Sequence, residues 1–283
     1  MSTPSADLPP LLHVRDERGI HYLTLNRASS FNALSEDMLA ALQAALDFIA
    51  LDATARAVVI AAEGKAFCAG HNLKDMRAHP ELAYYQKLFA QCTRMMLSIQ
   101  HLSVPVIAKV QGLATAAGCQ LVAQCDLAVA SSNASFGVNG IDVGLFCATP
   151  SVPLVRNMPA KQAMEMLLTG EFITADEAKV RGLVNRVVPL EALDAELEKL
   201  LQSITLKPRE AIAMGKAIFY QQRETGIEAA YQLAGQSMAC NMSHPVAQEG
   251  VQAFIDKRKP QWPAPSPAPA AKLPLPSPTA SKP

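Results

Sequence analysis

Apolar positions in the first 205 residues alternate between strand-like and helix-like spacing. A β-hairpin is predicted first, because apolar runs at 12–14 and 20–25 flank the turn residues 16–19. Short apolar strands then alternate with helices whose apolar residues recur every three or four positions. The predicted strands lie at 57–61, 104–110, 127–130 and 183–188, and the predicted helices at 39–49, 82–100, 117–125 and 174–182. This alternation is typical of an α/β fold with a parallel sheet.

The character of the chain changes after about residue 205. Residues 208–258 carry an almost continuous helical pattern, and nine of the 20 prolines follow from Pro260 onwards among Ala and Ser. We therefore expect four segments. They are a flexible N-terminus at 1–10, a core at 11–205, a helical segment at 206–259 and a disordered Pro/Ala-rich tail at 260–283. The helical segment either packs against a neighbouring subunit or folds back as a lid.

The composition is that of a well-packed globular protein. Half of the 283 residues are hydrophobic and 18% are charged, so a large core is expected and global disorder is excluded. The 25 basic and 25 acidic residues cancel, which leaves no general field to attract nucleic acid or an anionic membrane. No stretch approaches the roughly 18 apolar residues of a membrane helix. The first residues show no import signal, and we expect a cytoplasmic protein.

Motifs of several common enzyme classes are missing from the sequence. There is no Gly-x-Gly-x-x-Gly, P-loop, His-Glu-x-x-His or Gly-x-Ser-x-Gly, so hydride transfer, nucleotide hydrolysis, zinc chemistry and the α/β-hydrolase triad lose support. A triad assembled from distant residues stays open. The six cysteines form no Cys-x-x-Cys pair and have no histidine at zinc-ligand spacing, so we expect reduced core residues and no metal.

Two segments rich in small residues, 65–74 and 111–120, follow predicted strands. Small residues let a ligand approach the main chain. The second segment also opens a helix, where first-turn N–H groups lack intrahelical partners and the helix dipole favours negative charge. One N–H group from each segment can converge on a carbonyl oxygen and stabilise it as it becomes an enolate. Tight strand-to-helix turns that need small residues for packing are the alternative explanation.

A series of short motifs runs through the chain in a fixed order. They lie at 25–27 with 32–34, 66–70, 105–112, 118–121, 125–130, 174–184 and 249–258. Together they resemble the crotonase superfamily, the enoyl-CoA hydratase/isomerase family, over about residues 11–260. Within that family, residues 112–120 with 143–147 are closest to one branch, whose hydratase-family name does not by itself establish the reaction.

The resemblance implies an α/β crotonase (ClpP-like) spiral of ββα units, with a C-terminal helical segment that helps to form trimers or hexamers. It also implies a site for an acyl-CoA or enoyl-CoA thioester, in which CoA is part of the substrate and no separate cofactor is needed. Two backbone N–H groups, which by position belong to His71 and Ala117, form the implied oxyanion hole. The other implied CoA-binding residues are Ala69, Asn72, Leu73 and Lys74, with Phe254 and Lys257 contributed in some family members by a neighbouring subunit.

The chain departs from the family at the residues that carry out hydration. Adding water to a 2-enoyl thioester is well served by two carboxylates, one to deprotonate the water and one to exchange the proton at the α-carbon. At the two matching positions this chain has Gln120 and Gly140. An amide does not titrate in the accessible range, so Gln120 can orient a water but cannot take its proton. The resemblance therefore supports thioester binding more strongly than hydration.

Other residues near these positions are candidates for a replacement role. Asp142 lies two positions after Gly140, and in an extended segment it would face the same way and act as a base. Cys119 and Cys147 are candidate nucleophiles, although nothing basic is placed to activate them. For His71 we expect the backbone to act and the side chain to be solvated.

These observations favour an acyl-CoA-binding protein of the crotonase fold, nominally an enoyl-CoA hydratase of fatty-acid metabolism, with weak or absent hydration of simple substrates. Isomerisation or thioester hydrolysis through the same enolate is a second possibility. A non-catalytic acyl-CoA-binding or assembly protein is the alternative from a different class.

Overall fold

The computed structural model describes residues 9–262, which contain ten strands and eleven α-helices. The strands are β1 (Leu11–Arg15), β2 (Ile20–Leu25), β3 (Ala57–Ala62), β4 (Ala66–Cys68), β5 (Val106–Val110), β6 (Leu113–Thr115), β7 (Leu127–Ser131), β8 (Ser135–Gly137), β9 (Ile173–Thr174) and β10 (Arg186–Val188). The helices are α1 (Glu36–Leu51), α2 (Leu73–Ala78), α3 (Leu82–His101), α4 (Ala117–Gln124), α5 (Ala148–Asn157), α6 (Ala160–Thr169), α7 (Ala175–Val180), α8 (Leu193–Thr205), α9 (Arg209–Gln222), α10 (Ile227–Ser243) and α11 (Pro245–Ile255).

The strands form two sheets, and the larger one has the order β1-β2-β3-β5-β7-β10. β1 and β2 pair antiparallel as the predicted hairpin, and the strands from β2 to β10 pair parallel. The apolar runs of β3 and β5 are buried on both faces, as is usual for parallel strands covered by helices. The predicted α/β fold is confirmed.

The smaller sheet has the order β4-β6-β8-β9, and it explains how the chain winds. Each turn of the chain adds one strand to the larger sheet, one to the smaller sheet and then helical structure. The successive units are β3-β4 with α2 and α3, β5-β6 with α4, and β7-β8 with α5. This repetition is the predicted spiral of ββα units.

Alternate residues of the larger sheet enter two separate cores, because successive side chains of a strand point to opposite faces. Val58 and Ile60 of β3 pack in the core that also contains buried residues of α1, α3 and α4. Val59 between them packs on the other face, where α8 presents four buried leucines. The sheet is thus held between helical layers, and its strand ends are fixed where the smaller sheet begins.

The C-terminal segment packs differently from the core. Its helices α9–α11 contain few buried apolar residues, namely Ala230, Val246 and Ala253, and expose many large ones. α9 is tied to the core by a nearly buried ion pair between Lys216 and Asp126, with Nζ 2.6 Å from Oδ2. Tyr220 of the same helix donates its hydroxyl to the other Asp126 oxygen at 2.8 Å. The division at residues 205–206 stays a prediction. Residues 1–8 of the predicted N-terminus at 1–10, and residues 263–283 of the predicted tail at 260–283, lie outside the described residues.

Several expectations about special chemistry can be compared with residues 9–262. No helix in that range is both long and apolar enough to cross a membrane. The same residues contain no group of three or more His, Cys, Asp or Glu side chains arranged to hold a metal ion. All six cysteines are free thiols and five are buried. The prediction of a core position was wrong for Cys240, because α10 leaves it on the exposed surface.

Candidate functional site

The two small-residue segments leave the smaller sheet side by side. β4 and β6 pair parallel, with Ala66 opposite Leu113 and Cys68 opposite Ala114. Because parallel strands end at the same edge of a sheet, the chain after Cys68 and the chain after Thr115 emerge together. The sequence prediction that these two segments meet therefore has a direct cause in strand pairing.

Glycines allow the two segments to touch through their main chains. A Cβ atom on Gly118 would lie 2.0 Å from the carbonyl oxygen of Cys68. Gly70 has a positive φ of 86°, and a Cβ there would lie 3.1 Å from the backbone nitrogen of Ala117. Neither position has room for a side chain, so these glycines support the packing explanation, and the approach of a ligand to the main chain stays a prediction.

A strained residue, Ala116, directly precedes the first turn of α4. Ala116 precedes the helix with φ 49° and ψ −121°, a conformation rare for a residue with a side chain. Such a residue costs on the order of 1–3 kcal/mol and persists where its surroundings hold it in place. Here the Ala116 N–H donates to the carbonyl of Gly137 at 3.0 Å. The next residue, Ala117, is the first of the helix, so its N–H has no intrahelical acceptor.

The backbone of His71 is set by a single bridge to Leu34. The Leu34 N–H donates to the carbonyl of Gly70 at 2.7 Å, and Leu34 and His71 form a parallel bridge. In a parallel bridge of this type, Leu34 forms its hydrogen bonds with the residues before and after His71 and not with His71 itself. The N–H of His71 itself therefore points away from Leu34, and it has no acceptor among the described residues.

His71 and Ala117 both line one cavity of about 350 Å³. Most of the lining is apolar, and the polar side chains in it belong to His71, Thr115, Asn139, Cys147 and Thr149. Within the described part of the chain, no Asp, Glu, Lys or Arg lines this cavity. Its lining residues are Ala69, His71, Leu73, Met76, Phe89, Thr115, Ala116, Ala117, Asn139, Gly140, Val143, Leu145, Phe146, Cys147, Ala148, Thr149 and Pro150.

The two positions that carry carboxylates in the family pattern have different surroundings. Gln120 is 4% exposed inside α4, does not line the cavity, and its Oε1 has no hydrogen-bond partner among the described residues. Gly140 lines the cavity, but a Cβ there would lie 2.4 Å from the Leu145 carbonyl oxygen and 2.8 Å from the Cys147 sulfur. The chain has thus closed over the space that a longer side chain at 140 would need.

Asp142 does not share the direction of Gly140. The expectation of an extended segment was wrong, because Asn139–Val143 form a 3₁₀ helix. The Asp142 carboxylate lies beside Gly170, where a Cβ would be 2.8 Å from Oδ1. Asp142 is exposed and is not among the cavity-lining residues. Its role as a base stays a prediction without support from this geometry.

The predicted CoA-binding residues fall into two groups. Ala69, His71 and Leu73 line the cavity. Asn72 caps α2 by accepting the Lys74 N–H at 3.0 Å. The Lys74 side chain is exposed, next in sequence to the cavity residues. Phe254 and Lys257 do not line this chain's cavity, and the Phe254 side chain is 86% exposed on α11. A contact between these two residues and CoA, from this chain or from a neighbouring subunit, stays a prediction.

The two thiols near the site are poorly suited to attack a substrate. Cys119 is buried within α4, and burial raises the pKa of its thiol to about 12. Burial also raises the pKa of Cys147, against a smaller opposing effect of the Gly140 backbone hydrogen bond. A thiol that stays protonated is a weak nucleophile. This agrees with the absence of an activating base in the sequence pattern.

Sequence reasoning missed several side chains that shape the cavity. The Thr115 hydroxyl lies 2.6 Å from Asn139 Oδ1, so these two residues form a polar pair in the wall. Thr115 lies within the predicted segment 111–120, and Asn139 directly precedes the altered position 140. The sequence close to each residue therefore already indicated that it could lie near the site. Phe89 comes from α3, far from either segment in sequence, and its helical spacing indicates only a partly buried face.

Comparison with known proteins shows what this chain and its fold are similar to. The family model described as Enoyl-CoA hydratase/isomerase matches residues 15–265. Enoyl-CoA hydratase domain-containing protein 3, mitochondrial, from Xenopus laevis is 45% identical over 253 residues, covering 89% of this chain and 86% of the relative. A crystal structure of an enoyl-CoA hydratase from Mycobacterium smegmatis has a TM-score of 0.89 and 63% identity, covering 90% of this chain and 99% of that chain. The crystal structure of the human domain-containing protein 3 has a TM-score of 0.86 and 43% identity, covering 89% and 100%.

These names also bear on two predictions. The branch indicated by residues 112–120 and 143–147 is the domain-containing protein 3 branch, and the similarity to its members confirms that resemblance. The prediction of a cytoplasmic location was wrong by the same comparison. The Xenopus laevis relative is named mitochondrial, as are four further vertebrate relatives. That prediction depended on a missing signal, and an absent pattern carries no positive information about location.

Proposed function

The chain belongs to the enoyl-CoA hydratase/isomerase family, and from that premise we propose that it binds acyl-CoA or enoyl-CoA thioesters and stabilises their enolates. The proposal is carried by the observation that His71 and Ala117 line one largely apolar cavity, and that neither backbone N–H has an acceptor among residues 9–262. Two such donors hold a thioester carbonyl oxygen and strengthen their hydrogen bonds as negative charge develops on it.

The cavity favours an uncharged acyl group. Apart from a few neutral polar groups, its walls are hydrocarbon. The large apolar side chains come from two parts of the chain, with Leu73, Met76 and Phe89 in the first part and Leu145 and Phe146 in the second. A charged acyl substituent would lose its hydration here without gaining an ion pair. We therefore propose simple aliphatic acyl chains, with CoA as part of the substrate and no further cofactor.

Hydration is expected to be weak or absent on simple 2-enoyl-CoAs. No carboxylate lines the cavity in the described residues, and Gln120 and Gly140 occupy the two carboxylate positions. Each missing acid–base group typically lowers the rate by about 10²–10⁴-fold. The main-chain donors are unaffected by these replacements, so carbonyl binding is expected to survive the loss of hydration.

A non-catalytic acyl-CoA-binding or assembly protein is the second candidate, and the uncharged cavity favours it. Isomerisation and thioester hydrolysis need a group that moves a proton or activates water, and the cavity supplies at most an imidazole. We also propose that α9–α11 join copies of the chain into trimers or hexamers. Their exposed apolar side chains support this, among them Tyr231, Met238, Val251, Phe254 and Ile255.

Calorimetric titration with butyryl-CoA and with CoA alone tests the proposal. The two ligands differ in the acyl thioester, so the oxyanion hole predicts that butyryl-CoA binds at least about tenfold more tightly, which is ~1.4 kcal/mol. Exchange of the butyryl α-hydrogens with deuterium oxide then separates an enolate-forming enzyme from a binding protein. Equal affinities for the two ligands would contradict the proposed carbonyl site.

A further inference from the structure

The imidazole of His71 is packed into the wall and is not solvated as the sequence suggested. Its Nδ1 lies 3.2 Å from the carbonyl oxygen of Leu34. Its ring meets the edge of Phe89, with centroids 5.5 Å apart and planes at 65°. Its Nε2 is buried and has no hydrogen-bond partner among the described residues. Burial lowers the pKa of His71, and the Leu34 contact opposes this shift, so the ring is neutral near pH 7.

The contact with Leu34 fixes which nitrogen carries the proton. A carbonyl oxygen only accepts hydrogen bonds, so Nδ1 must be the protonated nitrogen. In the neutral ring Nε2 then keeps a lone pair. The imidazolium form also carries a proton on Nδ1. The bond to Leu34 therefore persists in both protonation states.

Leu34 is bonded both to the Gly70–His71 peptide and to the His71 side chain. Its N–H donates to the carbonyl of Gly70 at 2.7 Å, and its own carbonyl accepts from the His71 ring at 3.2 Å. The peptide between Gly70 and His71 is the one whose N–H is directed away from Leu34. Rotation of this peptide would break the first bond, and the second bond holds His71 against Leu34, so that the Gly70 carbonyl stays within reach of the Leu34 N–H. The two bonds thus form a clamp on that peptide.

We propose that the His71 side chain is a positioning residue, which holds its own backbone N–H towards the thioester oxygen through the Nδ1–H bond to Leu34. This inference rests on the proposed function, because it concerns the same oxyanion hole. The side chain acts on orientation and does not take part in proton transfer. Nε2 fits this assignment because it is shielded from solvent and contacts no polar partner.

Substitutions at His71 separate the two ring nitrogens. In H71N the amide nitrogen can take the place of Nδ1 and keep the bond to Leu34, whereas in H71Q the amide lies nearer to the place of Nε2. H71A removes both. The matched control is H79Q, because His79 is exposed at the end of α2 and does not line the cavity.

The readout is the ultraviolet absorbance of the enolate of acetoacetyl-CoA when it is bound, together with affinity for CoA alone. Loss of one neutral hydrogen bond corresponds to about a three- to tenfold change in an equilibrium. We expect H71Q and H71A to lower the bound enolate fraction by that factor, H71N to recover most of it, and H79Q to match the wild type. CoA affinity should be the same in all variants, which shows that each one is folded.

Three outcomes overturn the inference. If H71N falls as far as H71Q, the Nδ1 bond does not position the donor. If α-hydrogen exchange of butyryl-CoA is abolished in both H71N and H71Q, and if exchange by the wild type falls towards acid pH, then Nε2 acts as a base. If H71Q and H71A retain the full enolate signal, the ring has no role. A wild type that binds acetoacetyl-CoA no better than CoA contradicts the proposed function itself, a result distinct from these three.

Discussion

Segments 66–72 and 113–118 form one wall of the cavity through their main chains, whereas segment 138–147 forms another through its side chains and a 3₁₀ helix. The first wall depends on parallel pairing of β4 and β6 and on glycines that let the backbones touch. The second wall depends on which side chain each position carries. At Gly140 the space for a carboxylate is filled by Leu145 and Cys147. We therefore expect chemistry performed by backbone groups to depend less on the side chains at 120 and 140 than acid–base chemistry does.

The largest expected effect concerns the ion pair that ties α9 to the core. Asp126 follows α4, accepts the Val106 N–H at 2.7 Å, and is paired with Lys216, and the two side chains are 13% and 7% exposed. Lys216→Met would leave a buried carboxylate without its cation and should lower the free energy of unfolding by about 3–5 kcal/mol. Urea unfolding measures this loss.

Lys87→Met is the matched control for that substitution. Lys87 is 72% exposed in its ion pair with Glu36, so its replacement should cost about 0–1 kcal/mol. Equal losses in the two variants would mean that the buried Lys216–Asp126 pair contributes no more to stability than the exposed Lys87–Glu36 pair.

The next effect concerns the contact between the two main chains. Gly118→Ala places a methyl group 2.0 Å from the Cys68 carbonyl, so the segments must move apart. We expect about 1–3 kcal/mol of destabilisation and loss of the preference for butyryl-CoA over CoA in calorimetry. Gly215→Ala in α9 is the control, because nothing lies within 4 Å of its Cβ position. Retained thioester preference in Gly118→Ala would show that the hole does not need this close approach.

Restoring both carboxylates tests the second wall. Gln120→Glu with Gly140→Glu should produce no gain of hydration, because the new side chain at 140 meets a backbone carbonyl at 2.4 Å. The expected cost in stability is about 1–3 kcal/mol. Gln120→Glu alone is the control, and burial should raise the pKa of its carboxyl group. A double variant that hydrates crotonyl-CoA would show that the second wall still positions substrate as in a hydratase.

The smallest effect is expected at Asp142. Its carboxylate lies against Gly170 on the exposed side of the 3₁₀ helix, so Asp142→Asn should change stability by less than about 0.5 kcal/mol. Exchange of the butyryl-CoA α-hydrogens should be unchanged as well. Loss of exchange in this variant would identify Asp142 as a base and break the contrast between the two walls.

Sequence patterns predicted the main-chain wall better than the side-chain wall. Local patterns predicted close turns of small residues at 65–74 and 111–120, but not the strands β4 and β6 that lie inside these two segments. The parallel pairing of these strands is what brings the segments together. The direction of Asp142 followed from an assumed extended segment, which the 3₁₀ helix replaces. The contacts of His71 with Leu34 and Phe89 join distant parts of the chain, so no local spacing indicates them.

Whether the cavity lacks acid–base chemistry is tested first by measuring hydration of a panel of short to long 2-enoyl-CoAs by the purified wild-type protein. Loss of the enoyl-thioester absorbance reports turnover, and chromatography of the products shows whether a 3-hydroxyacyl-CoA forms. The account predicts saturable binding of the enoyl-CoAs with weak or no hydration across the panel. Efficient hydration of any member would contradict it, because a cavity without carboxylates would then be performing the acid–base chemistry that its walls are inferred to lack.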